Sequence, residues 1–278
     1  MALRLHIRIS GRLRFAFLLI AVAVLGIAIL LAAFYGPQDG VEGAVVVGLG
    51  WLVAFVSRLS KGGCALGAGL AASVGITLLV FVAVSPGYAY VLGRAPHFTM
   101  VVWLSVVGFL ILSEASDIRF LPWFPSADGT LAPKLRFLGF WLLVSGIFLA
   151  LLGTIVAPYC CRPSTFPFVP TLSLRGFQTD IGQTSLVVGG LGWTLVALVP
   201  ILRARAWIGV GILGGFAILF IPVVFNVFTQ PVEGSPYLVG QSLAAVGFGL
   251  SALGALLWIR MREMGPNTVL PAAPSAAT

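Results

Sequence analysis

Hydrophobic residues in this chain do not alternate with polar ones; they run. Apolar stretches of roughly 17 to 23 residues recur along it, the length a helix needs to cross about 30 Å of hydrocarbon. Eight such runs are predicted to be membrane helices, at about 15–34, 41–57, 63–85, 98–113, 137–157, 184–202, 206–228 and 238–259. Glycine, proline and charge mark the breaks: Gly36-Pro37-Gln38-Asp39-Gly40, Arg58-Leu59-Ser60-Lys61-Gly62-Gly63, Ser85-Pro86-Gly87 and Pro158. The expected fold is all-α and polytopic, with about eight transmembrane helices and both termini in the cytoplasm. The run at 98–113 is the shortest.

The polar connections give the organisation. A basic tail, 1–14, precedes a first four-helix half over 15–113. The linker 114–136, with Phe120, Trp123 and Phe124 among prolines, is expected on the headgroup layer. A second four-helix half covers 137–260, and a Pro/Ala/Ser-rich tail, 261–278, is expected to be disordered. The first run exceeds a typical signal-peptide core and lacks a convincing cleavage site, so it is read as an uncleaved span.

The two halves echo each other. Gly48-Leu49-Gly50-Trp51 returns as Gly190-Leu191-Gly192-Trp193, 142 residues on, and a basic cluster follows each copy: Arg58 and Lys61, then Arg203 and Arg205. Leu13-Arg14-Phe15 is matched by Leu135-Arg136-Phe137, and Val107-Gly108-Phe109 by Val246-Gly247-Phe248. An even number of spans per half orients both alike, so the predicted repeat is parallel, about an axis along the membrane normal. Small residues four apart form stripes for close helix packing: Gly63, Gly67, Ala71 and Gly75; Gly211 and Gly215; Gly247, Ser251 and Ala255.

Composition agrees with a membrane reading. The chain of 278 residues is 59% hydrophobic and only 9% charged, and its mean hydropathy is +1.09. The formal charge of +8 is explained by topology rather than by nucleic acid, for which no module is present. With the N-terminus inside, every Lys and Arg except Arg94, Arg162 and Arg175 falls on the cytoplasmic side, while acidic residues split evenly. The inner membrane of a bacterial-type cell is the expected location.

Candidate chemistry is sparse. No Asp, Glu, Lys, Arg or His falls in the middle of a predicted span, which disfavours charge-dependent translocation. His6 and His97 lack a second ligand at suitable spacing, so no metal site is expected. Glu114 and Asp117 are read as solvated carboxylates near Arg119. Cys160-Cys161 is a candidate redox pair, more simply read as two interfacial residues. Trp51, Trp193, Pro222 and Asn226 are candidates for a pathway or for packing, since each indole N–H needs a partner and the proline bends its helix.

No catalytic constellation and no cofactor is expected, bound lipids aside. The expected function is a non-catalytic accessory or scaffolding subunit, with membrane lipids and other integral membrane subunits as partners. The alternative is a small-solute or lipid transporter whose pathway lies between the halves.

Overall fold

A computed structural model describes residues 11–35, 41–84, 96–116, 131–156, 180–198, 203–219 with 221, and 236–263. These residues are all-helical, with no strand among them. Eight helices follow in order: α1 (Gly11–Tyr35), α2 (Val41–Val56), α3 (Lys61–Val84), α4 (Pro96–Ala115), α5 (Leu131–Val156), α6 (Asp180–Ala197), α7 (Arg203–Leu219) and α8 (Pro236–Glu263). Five of them, α1, α3, α4, α5 and α8, are long and apolar enough to cross a membrane, and α2, α6 and α7 are shorter apolar helices. The chain is thus a helical protein of multi-pass membrane character.

Several helix bounds differ from those the apolar runs predicted. Helix α4, expected to be the shortest, gains two residues at each end, and Pro96 opens it, a position where the missing N–H costs nothing. Helix α5 begins at Leu131, so the amphipathic stretch through Lys134 and Arg136 is helical rather than linker. Helix α8 continues past Arg260 to Glu263 and buries that arginine. Helix α7 ends at Leu219, and Pro222 and Asn226 lie outside the described residues.

The packing order within α1–α4 matches that within α5–α8. Helix α1 packs on α4, α4 on α3, and α3 on α2; likewise α5 packs on α8, α8 on α7, and α7 on α6. The two sets meet where α3 crosses α7, with α3 also touching α6 and α7 touching α2. Burial follows this plan. The apolar window of α3 is 72% buried and that of α1 only 11%. Phe15, Val22 and Leu30 on α1, and Phe137, Trp141 and Phe148 on α5, are exposed, as lipid-facing side chains should be. One core cluster joins Val46, Leu70, Val102, Val196, Leu213, Phe216 and Phe248 across both sets. A smaller one, Ala21, Ala54, Cys64, Ala68, Phe109 and Leu112, belongs to the first set.

Hydrocarbon is as apolar as leucine, so burying leucine between helices gains little there, and close approach must come from small residues. The described helices follow that rule.

Candidate functional site

The crossing of α3 and α7 is a contact of backbones. A Cβ on Gly69 would lie 2.8 Å from the Cα of Gly211 and would overlap the carbonyl of Ile208. A Cβ on Gly211 would lie 2.8 Å from the Cα of Gly69 and would overlap the carbonyl of Leu66. The shift of 142 residues that separates Trp51 from Trp193 carries Gly69 onto Gly211 and also Leu66 onto Ile208. The contact is reciprocal: each glycine lies against the other's Cα and against the carbonyl three residues before the other.

The tryptophan motifs pack by the same device. Within the first half, a Cβ on Gly67 would lie 2.7 Å from the Gly50 carbonyl and one on Gly50 would lie 2.9 Å from that of Gly67. In the second half, a Cβ on Gly209 would lie 2.7 Å from the Gly192 carbonyl. The glycine before each tryptophan thus lets the helix behind it, α3 or α7, come within backbone reach.

The predicted stripe on α3 does not face one partner. Gly63 faces the side chains of Ser57 and Ser60 in the preceding turn, Gly67 faces α2, and Gly75 faces Trp103 and Val102 of α4, while Ala71 is buried between. The α7 stripe is coherent: Gly211 and Gly215 both face α3, Gly215 against Ser73 and the Leu70 carbonyl. Gly247 and Ser251 on α8 face α5, and Ala255 is buried.

Sequence reasoning passed over the most extensively packed helix pair among the described residues. Gly139, Gly146 and Gly153 on α5 meet Gly254, Gly247 and Gly240 on α8 in antiparallel register. Cβ atoms on the first three would lie 2.9, 2.7 and 2.5 Å from the carbonyls of the second three. Spacings of seven on both helices are visible in the sequence, and such a repeat marks a continuous seam. A search for spacings of four does not find it.

Polar groups inside the bundle are few and mostly bonded. Trp51 Nε1 donates to Ser105 Oγ at 3.1 Å, and that hydroxyl donates to the Val101 carbonyl at 2.7 Å. Trp193 lies flat against Phe248, with ring centroids 5.6 Å apart and planes 15° apart, and Phe216 meets Phe248 edge-on at 4.8 Å. Trp193 Nε1 is buried and has no hydrogen-bond acceptor among the described residues.

The basic turn between α2 and α3 is well built. Arg58 N–H donates to the Phe55 carbonyl and Leu59 N–H to that of Ala54, the two bonds of a Schellman ending. Arg58 and Leu59 both take left-handed backbone, φ 52° and 53°, where glycine would be at ease. Ser60 then caps α3 by accepting from Gly63 N–H at 3.1 Å. The turn is held to the end of α4: Ser113 Oγ donates to the Lys61 carbonyl at 3.1 Å, and Lys61 Nζ pairs with Glu114 at 3.2 Å. Glu114 is exposed, as a solvated carboxylate is, and also meets the ammonium of Lys61 at the start of α3.

Cys64 is a buried free thiol beneath that turn. Cys160, Cys161, Asp117, Arg119 and His6 lie outside the described residues. No group of three or more His, Cys, Asp or Glu that could hold a metal occurs among the described residues. What the described geometry offers is contact chemistry: backbones brought together at glycine, and two indoles held by different means. No family model matches this sequence, and no curated protein or solved structure shows significant similarity to it.

Proposed function

We propose that this chain is a non-catalytic integral membrane protein that works through contacts, an accessory or scaffolding subunit of a larger membrane assembly. The observation that carries the reading is the closed seam at Gly69 and Gly211, where backbones touch and neither side chain nor water has room. The placement of charge supports it further. In the described helices every ionisable side chain lies in the first two or last two turns, away from the depth where coupled transporters keep theirs.

The full arrangement we propose has eight spans in two parallel four-helix halves, with both termini in the cytoplasm of a cell bounded by an inner membrane. The positive-inside bias supports the orientation, and the exchange of Leu66–Gly69 with Ile208–Gly211 supports two like-oriented copies. The exposed apolar faces of α1 and α5 would take lipid and neighbouring membrane subunits.

Extraction in a mild detergent followed by native mass spectrometry tests the proposal. Stoichiometric membrane subunits retained with the chain are expected. Solute or lipid flux carried by the isolated protein in vesicles would overturn the reading in favour of a transporter.

A further inference from the structure

The two motif tryptophans occupy like positions, yet their surroundings differ in a coordinated way. Ser105 stands four residues before Phe109 on α4, and Ala244 stands four residues before Phe248 on α8. Gly108 and Gly247, between these marks, each face the outer helix of their half, against Leu25 on α1 and Ala150 on α5. Ala244 is therefore the counterpart of Ser105, and the second half lacks the hydroxyl that receives the first indole. By the shift of 142 residues, the buried Val47 has Gly189 as its counterpart. A Cβ on Gly189 would lie 2.6 Å from the ring of Phe248, so only glycine there lets Phe248 lie on Trp193.

The two indoles are thus held differently. A hydrogen bond fixes Trp51 in direction and depth. A stack holds Trp193, and flat rings slide over one another at little cost while a hydrogen bond does not. An indole N–H shut in an apolar bundle without an acceptor is unfavourable, which gives the ring a reason to move towards one. The outer side of the helix is thin at this point: Gly190 has no neighbour within 4 Å of where a side chain would begin, and Leu191 is exposed.

Depth narrows the choice of acceptor. Trp193 lies four residues before the end of α6 at Ala197, about 6 Å at helical rise, and α7 then opens with Arg203 and Arg205. With the exposed Arg205 among the headgroups, the N–H reaches the layer just below, where hydrocarbon gives way to the interfacial region and glycerolipid ester groups lie.

We infer that Trp193 is the anchoring donor of a lipid site where α6 meets Phe248 of α8, and that it takes the ester carbonyl of a membrane glycerolipid. Gly189 and Phe248 form the surface on which the indole shifts to meet that oxygen, and Ala244 leaves the donor free for it. The first half, with Ser105 in place, has no such site.

A competition between two lipids tests this. The purified full-length protein in mild detergent is offered an equimolar mixture of a diester phospholipid and its diether analogue, matched in headgroup and chains. Native mass spectrometry then reads the retained lipids. Wild-type protein is expected to retain the diester over the diether by about threefold, the factor one hydrogen bond within a membrane supports. Trp193→Phe, which keeps the ring and loses the donor, and Ala244→Ser, which supplies an internal acceptor, are each expected to retain the two equally. Trp51→Phe is expected to keep the preference. Equal retention by the wild type, or a preference that survives Trp193→Phe, overturns the inference.

Discussion

Replacing Gly211 with alanine tests the seam between the two halves directly. The added methyl would lie 2.8 Å from both the Cα of Gly69 and the backbone nitrogen of Leu70, and would overlap the Leu66 carbonyl. Carbon–carbon contacts are best near 3.5–4.0 Å, and none of these atoms belongs to a side chain that can turn away. The two helices must part by about 1 Å. A gap of that size forfeits a quarter to a half of the attraction across every contact in the seam, and overpacking of this kind costs about 1–3 kcal/mol. Alanine returns up to about 1 kcal/mol through its better helix propensity. With that full return the net loss is about 0–2 kcal/mol, a fall in Tm of up to roughly 8 °C for a chain of this size.

Thermal unfolding in detergent, followed by circular dichroism, measures this loss. Gly69→Ala is expected to cost the same as Gly211→Ala, because the contact is reciprocal. The double variant is expected to cost less than the sum, because helices already parted accept the second methyl more cheaply. Gly190→Ala, with nothing within 4 Å, serves as the neutral reference. If Gly211→Ala proves as harmless as Gly190→Ala, the backbone contact between α3 and α7 is not what joins the halves.

Three further outcomes follow from single contacts. Ser105→Ala is expected to lower stability by about 0.6–1.7 kcal/mol in the same assay, the span measured for side-chain hydrogen bonds between membrane helices. Arg58→Gly relieves a left-handed residue of about 1–2 kcal/mol of strain and gives back about 0.5–1 kcal/mol in unfolded-chain entropy, so its unfolding midpoint is expected to rise slightly. Glu114→Gln removes an exposed ion pair worth about 0–1 kcal/mol; any loss is expected to vanish when unfolding is repeated at about 1 M salt.

The helices were legible in the sequence because their apolar runs are long and their breaks carry proline, glycine and charge. Bounds failed where a helix began amid polar residues, as α5 does at Leu131 before Lys134 and Arg136. The matching words around Trp51 and Trp193 were legible in the sequence, but the partners of the two indoles were not. Whether an indole finds a partner depends on residues far along the chain, Ser105 in one half and Ala244 in the other. Gly69 escaped notice because it lies off the four-residue stripe, and contact faces in a crowded bundle are set by which helix crosses where. The left-handed pair Arg58 and Leu59 left no trace, because neither residue type favours that backbone.

The seam of α5 and α8 fixes more than a distance. Three glycines on each helix, seven apart, make grooves that match at one axial offset alone, since a slip of one turn would drive leucine or alanine side chains into a carbonyl. The two rods are keyed against sliding. The exposed aromatic band of Phe137, Phe140 and Trp141, with ring pairs 6.0 Å apart, is consequently set at one fixed height along α8, at the level where Gly139 meets the backbone of Trp258. A bilayer that thickens or thins around such a pair meets a unit that can tilt but cannot slide along its own seam.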